Sequence, residues 1–192
     1  MSKIDLYWDK VEQEQEYSCS IFQIHRARHR RHDGKEADFY LLQSPDWVNI
    51  IPITINERKE PCFVLVRQYR PGAGKLSLEF PGGLVDPGES CESAAGRELR
   101  EETGYCAGEL LHIGTTNPNP AFMTNTMRTY IARDLSLCSP QDLDEDEHIE
   151  VFPVPIKDIV NYRVPEFQVN GIMLIALGWY MKWAENVESG VI

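Results

Sequence analysis

Three glutamates, Glu98, Glu101 and Glu102, stand within one turn of a segment, CESAAGRELREET, that reads as a helix. At spacings of i, i+3 and i+4 they share one face, where like charges repel. The arrangement costs stability unless something positive sits among them. Two or three carboxylates converging on one point make an all-oxygen site of the kind that takes Mg²⁺ or Mn²⁺. Mg²⁺ keeps several waters and shares itself with substrate phosphates, so the same face suits phosphate chemistry. Arg97 can hold a neighbouring carboxylate through a two-pronged hydrogen bond. Gly82, Gly83 and Gly88, just upstream, let the backbone turn sharply and approach a ligand. Taken alone, these residues leave open a blander alternative: a solvated acidic helix face with Arg97 and Arg100 as intrahelical partners.

The elements that must position this helix are legible on both sides of it. Ser90 is placed to cap its N-terminus, Gly104 falls where a C-terminal glycine belongs, and Ala94, Ala95 and Leu99 give it an apolar side. Upstream, residues 17–30 read as strand-like, and RHDGKEAD carries an Asp-Gly turn signal before the strand FYLLQS. WVNIIPITI (47–55), CFVLVRQYR (62–70) and LSLEF (76–80) follow as strands, the second β-branched, aromatic and fit for burial. Downstream, ELLHIGTT and MRTYIARDL read as strands around a Pro/Asn-rich loop. An acidic loop, the strand VFPVPI, a short helix at KDIV and a long helix over 171–186 complete the chain. Strands first, one central helix and a terminal helix predict a mixed α/β sandwich rather than repeated βαβ units.

The bulk numbers set limits. A chain of 192 residues with 42% hydrophobic and 26% charged residues can build one packed domain, with a small appendage at most. A formal net charge of −11 argues against a general nucleic-acid binder, which needs clustered Lys and Arg. No apolar run is long enough for a bilayer, and the opening MSKIDLYWDKVEQEQEY is too charged and acidic for a secretory leader, so no membrane partner is expected. Five cysteines, an odd number without a CxxC pair, suggest reduced thiols used as small core filler in a cytoplasmic protein.

The full spacing around the glutamates is Gly83, five residues, Glu89, seven residues, then Arg97-Glu98-Leu99-Arg100-Glu101-Glu102-Thr103-Gly104-Tyr105. It resembles the box of the Nudix hydrolases, Gly-x5-Glu-x7-Arg-Glu-(aliphatic)-x-Glu-Glu-x-Gly-(apolar), with no departure at any fixed position. A chance match of seven fixed residues in a chain this size is rarer than about one in a million. The resemblance implies an α/β/α sandwich on a mixed sheet, and metal-assisted hydrolysis of a nucleoside diphosphate linked to another group. By position, Glu98 and Glu102 match the family's metal ligands, and Glu101 matches a further or water-mediated ligand. The Gly82 carbonyl matches a main-chain ligand. Arg97 matches the residue that orients the glutamates, and Glu89 its loop-side partner. Gly83 and Gly104 match the structural glycines. The expected ion is Mg²⁺, with Mn²⁺ as the alternative.

Other stretches point within the family. The acidic loop LDEDEHIEV, carrying Asp144, Glu145, Asp146 and Glu147, resembles the loop that bears the catalytic glutamate of ADP-ribose pyrophosphatases; Glu147 is the first choice for the base and Glu145 the second. VRQYRPGAGKLSLEFPGG resembles the run before the box in ADP-ribose and nucleotide-sugar pyrophosphatases. It implies Arg70 as a diphosphate or ribose contact and Glu79 as a partner of a substrate hydroxyl or of the metal site. Pro120, 15 residues beyond Tyr105, falls where ADP-ribose enzymes carry a Pro-Ser-Pro-Gly-like loop, read here as Pro118-Asn119-Pro120-Ala121 with the glycine replaced.

Residues 1–45 would form an N-terminal antiparallel β extension ahead of a Nudix domain over 46–192. In this subfamily such an extension exchanges with its twin in a homodimer and can line the base pocket. Tyr17, Phe22, Phe39, Tyr40 and Trp47 are candidates for stacking a base, or ordinary β-core aromatics. HRARHRRH (25–32) is a basic run in an acidic protein. It would steer an anionic substrate, with Arg28 as a candidate contact, or else protect a strand edge; Arg28 and Arg30 are read as alternating, so that one set alone faces a site. The expected substrate is ADP-ribose or a related nucleoside diphosphate sugar, cleaved to a nucleoside monophosphate and a sugar phosphate. GDP-mannose, a dinucleoside polyphosphate or a nucleoside triphosphate are alternatives, as is a non-catalytic ADP-ribose sensor.

Overall fold

The computed structural model describes residues 6–145 and 147–189. It divides into a smaller unit, residues up to 46 together with 117–126, and a larger one, 47–116 with the residues from 127 onward.

The smaller unit is an antiparallel sheet in the order β1-β2-β3, from strands Asp9–Ser18 (β1), Gln23–Arg30 (β2) and Glu36–Gln43 (β3). Asp33-Gly34 makes the β2–β3 turn, with Gly34 at φ 86°, a left-handed conformation that glycine adopts without a Cβ penalty. The sequence gives little hint of β1, because DKVEQEQEYS is poor in strand formers and all of it is exposed. Cross-strand charge explains it. Arg26 of β2 donates to Glu14 at 2.6 Å and Glu16 at 2.8 Å on β1, Arg28 to Asp38 of β3 at 2.9 Å, and Arg30 to Glu36 at 2.6 Å. These arginines are two apart and share one face, contrary to the reading that Arg28 and Arg30 alternate, and β2 is the central strand rather than an edge.

The larger unit holds the strands Trp47–Ile55 (β4), Pro61–Arg70 (β5), Lys75–Glu79 (β6), Gly82–Leu84 (β7), Tyr105–Thr116 (β8), Met127–Leu137 (β9) and Glu150–Pro155 (β10). The main path runs β10-β5-β4-β9-β8, with β6 added to β5 and β7 to β4; β4 and β9 run parallel, which makes the sheet mixed. Helix α1, Cys91–Thr103, covers one face, and α3, Gly171–Glu188, covers the other with the short helix α2, Ile156–Val160, and a 3₁₀ turn at Pro165–Val169.

Strand alternation allots the two cores. Val48 and Ile50 pack with Ala94, Ala95 and Leu99 of α1, whereas Ile51 packs with Phe63, Leu65, Ile131 and the α3 residues Met173, Ala176 and Leu177. With both faces covered, β5 reads as an unbroken buried run from Cys62 to Val66. The α/β/α sandwich is therefore present, with the three-stranded sheet as its N-terminal extension. Among the described residues no helix is long and apolar enough to cross a membrane.

The expectation of five reduced thiols is corrected. Cys106, on β8, is disulfide-bonded to Cys138, just past β9, at a Cα separation of 5.8 Å; Cys19, Cys62 and Cys91 are free. Strand register accounts for this. Cys106 pairs with Ser136, so Cys138 lies diagonally opposite, two residues on and on the same face. Thirty-two residues separate the two in sequence, a distance at which no cysteine motif operates. The thiol count therefore ceases to argue for the cytoplasm.

Candidate active site

Helix α1 carries the site. The Ser90 side chain accepts the Ser93 N–H at 3.1 Å, and Gly104, at φ 75°, closes the other end by donating its N–H to the Arg100 carbonyl at 2.8 Å. Between these caps the helical period places Arg97, Glu98, Glu101 and Glu102 beside β7.

One guanidinium organises the carboxylates. Arg97 donates to both oxygens of Glu89, at 3.1 and 3.0 Å, to Glu98 at 2.9 Å, to Glu101 at 3.1 Å and to the Leu84 carbonyl at 2.9 Å. Its forked donors and permanent charge allow this; a lysine ammonium has neither the span nor the number. The Arg97 hydrogen bonds hold Glu89 below the usual carboxylate range. Glu101 has both oxygens engaged, the second by Arg100 at 3.0 Å.

Glu98 and Glu102 differ from it. Burial pushes Glu102 up to about 8; Glu98 and Glu147 push the same way, and the Gly82 N–H and Arg70 oppose. The Gly82 N–H donates to Glu102 Oε2 at 3.0 Å. Burial likewise raises Glu98 to about 6, against the pull of Arg97. Both therefore bear a desolvation cost that protein partners leave uncompensated. Of the two glycines ahead of the helix, Gly82 is closed to a side chain by backbone, and a side chain on Gly83 would displace the Glu98 carboxylate. A Cβ on Gly83 would lie 2.4 Å from the Glu98 carboxylate, and one on Gly82 would lie 2.2 Å from the Val48 carbonyl.

Arg70 and Glu79 come together as a bidentate pair at 2.9 and 2.7 Å. Burial works to raise Glu79, but Arg70 outweighs it and the carboxyl stays below its ordinary value. Half of the Arg70 fork is thus committed to a buried carboxylate, while the side chain remains partly exposed.

Beyond β9 the chain returns to the end of α1. Cys138 and Ser139 N–H groups donate to the Gly104 carbonyl, the Asp142 N–H to the Glu101 carbonyl at 2.9 Å, and the Gln141 side chain to the Glu102 carbonyl at 2.6 Å. The terminal carbonyls of the helix are satisfied in this way. The acidic loop then follows. Glu147 is exposed; its N–H donates to the Asp144 carbonyl at 2.9 Å, and its carboxylate accepts the Asp144 N–H at 3.3 Å. Its charge is felt at Glu98, Glu102 and Arg70. Glu145 is exposed in the same turn, and Asp146 lies outside the described residues. Arg28 and Pro120 belong to the smaller unit. Gln141 escaped the sequence reading, since a lone glutamine in a polar loop gives no signal.

The residues fit a hard divalent cation. Their donors are all oxygen, and Glu102 is a buried carboxylate with one backbone donor and two like charges nearby. Among the described residues, no three acidic, histidine or cysteine side chains already stand gathered round a common point.

The geometry of an Arg-clamped glutamate helix under a mixed sheet defines a class, and comparison with known proteins agrees. The NUDIX domain model matches residues 46–173, and the chain belongs to the NUDIX family. It is 49% identical over 127 residues to the ADP-sugar pyrophosphatase of Mus musculus, covering 62% of this chain and 56% of that protein. It is 30% identical over 149 residues to the ADP-ribose pyrophosphatase of Bacillus subtilis, covering 77% and 78%. A crystal structure of an ADP compounds hydrolase superposes with a TM-score of 0.82 at 25% identity, covering 96% of this chain and 98% of that one. The chain spans about half the length of two of these curated relatives, 51% of an uncharacterized Nudix hydrolase of Schizosaccharomyces pombe and 56% of the mouse protein, and 78% of the Bacillus subtilis one.

Proposed function

We propose that the protein hydrolyses the diphosphate linkage of ADP-ribose or a related nucleoside diphosphate sugar, giving a nucleoside monophosphate and a sugar phosphate. The observation that carries this reading is the pair of carboxylates on one face of α1, half-buried Glu98 held by Arg97 and buried Glu102 held by the Gly82 N–H. The relatives named for ADP-ribose and ADP-sugar support the substrate class.

Glu98, Glu102 and the Gly82 carbonyl would hold the cation, Mg²⁺ with Mn²⁺ as the alternative, and Glu101 would join directly or through water. Once bound, such an ion neutralises diphosphate charge and acidifies water. Glu147 acts as the base and receives a proton from the attacking water. The water oxygen bonds to one phosphorus, the bond from that phosphorus to the bridging oxygen breaks, and the other phosphate leaves with the electron pair. Arg70, oriented by Glu79, offers its outer N–H groups to the diphosphate. A second copy of this chain is the expected partner.

The test is turnover of ADP-ribose, ADP-glucose, GDP-mannose, a dinucleoside polyphosphate and a nucleoside triphosphate by chelator-treated protein, with and without Mg²⁺ or Mn²⁺. ADP-sugars should be cleaved only with metal. Glu147→Gln should lower kcat by roughly 10²–10⁴-fold with KM little changed. Metal-dependent cleavage of triphosphates alone would remove the substrate class, and wild-type turnover by Glu147→Gln would remove the base.

A further inference from the structure

Gln141 joins two backbone segments that matter to the reaction proposed above. Its Nε2 donates to the Glu102 carbonyl at 2.6 Å and to the Ile149 carbonyl at 3.4 Å. The first carbonyl belongs to a proposed cation ligand. The second lies two residues past the proposed base, where the chain enters β10. Two carbonyl acceptors fix which end of the amide faces inward, because an oxygen there would meet two others. The Asp142 N–H on the Glu101 carbonyl adds a backbone tie beside it.

Capping alone does not explain the residue. A helix-end carbonyl is ordinarily satisfied by a backbone N–H or by water, as the Glu101 and Gly104 carbonyls are satisfied here by the Asp142, Cys138 and Ser139 amides. The second hydrogen bond, to Ile149, does nothing for α1. It closes the chain on itself between residues 141 and 149, so that Glu147, in an exposed stretch, is tied at both ends to the frame that carries Glu98 and Glu102. Without the side-chain bridge the exposed segment keeps the Asp142 backbone tie and its strand end but is free to widen between them, and a proton acceptor displaced by about 1 Å can lose roughly 10²-fold in rate.

We propose that Gln141 is a positioning residue that holds Glu147 toward the α1 carboxylates by bridging the Glu102 and Ile149 carbonyls. This rests on the reading of Glu147 as base. The glutamine itself touches no substrate.

The test is a double-mutant cycle between Gln141→Met, nearly the same shape without a donor, and Glu147→Gln, in full-length protein with ADP-ribose and Mg²⁺. Gln141 lies at the surface, so the variants should fold; melting curves check this. Gln141→Asn keeps a donor but is too short to reach both carbonyls, and serves as the second variant. Each should lower kcat roughly ten- to a hundredfold while KM and the Mg²⁺ midpoint stay within about twofold. In the Glu147→Gln background the Gln141 change should add little, since the base it positions is already gone. Wild-type kcat in both Gln141 variants overturns the proposal. So do losses that multiply in the double variant, or a raised Mg²⁺ requirement, either of which would place the effect on α1. Failure of the base assignment shows separately, as wild-type turnover in Glu147→Gln alone.

Discussion

Arg97 shows how a single side chain converts a repulsive cluster into a usable one. Its donors satisfy Glu89, Glu98 and Glu101 together, leaving Glu102 to be steadied by a backbone N–H. That division predicts a pH dependence. The ordinary value for Glu102 is 4.5, and its folded value is about 8, set by burial and by Glu98 and Glu147, against the Gly82 N–H and Arg70. A carboxyl raised on folding favours the folded state while it stays protonated. In metal-free protein this contribution is therefore fully present below about pH 4.5 and is lost as pH rises through about 8. Glu98 adds the same trend over the narrower window up to about 6. A divalent cation binds the ionised forms, so the rise in melting temperature on adding Mg²⁺ should be small at pH 5 and should grow steadily to pH 8.5. Glu102→Gln should melt higher than wild type at pH 8.5 without metal and lose most of the response to Mg²⁺. Calorimetry showing a metal shift independent of pH would refute this account.

At the scale of elements, α1 was the most legible part of the chain because its signals are local. The cap residues Ser90 and Gly104 and the spacing of its charges act within a few residues of one another. Strand β1 was the least legible, since little in DKVEQEQEYS beyond Val11 and Tyr17 favours a strand until β2 supplies Arg26 opposite it. Strand β7, three residues long and two of them glycine, likewise carries no local strand signal. The Cys106–Cys138 bond lies where β8, β9 and the end of α1 meet, and a cross-link closing 32 residues stabilises by about 3–4 kcal/mol in the chain-entropy view. The Cys106→Ser/Cys138→Ser variant should melt roughly 10 °C lower. Thiol titration of unfolded wild type should give three reactive groups before reduction and five after. Five before reduction would rule the cross-link out.

For the whole molecule, the smaller unit raises a question of cover. A three-stranded sheet without helices buries little, and here Tyr7, Val11, Tyr17, Phe39 and Tyr40 remain exposed along with every residue of β1. An open edge and exposed aromatics invite a second copy. Light scattering should give a mass near twice 22.0 kDa at micromolar concentration, and a species of 22.0 kDa throughout would sink the homodimer.

The sequence by itself determined the glutamate helix, its caps and the order of the main strands, because helical period, capping chemistry and strand alternation are properties of neighbours along the chain; the family came from the resemblance of residues 83–105 to the Nudix box. Tertiary structure alone decided that Gly83 leaves room for the Glu98 carboxylate, that half of the Arg70 fork is held by Glu79, that Cys106 meets Cys138 and that Gln141 spans two carbonyls. Each of these joins residues brought together only when the sheet closes, and a distance set by packing leaves no period in the sequence for a reader to find.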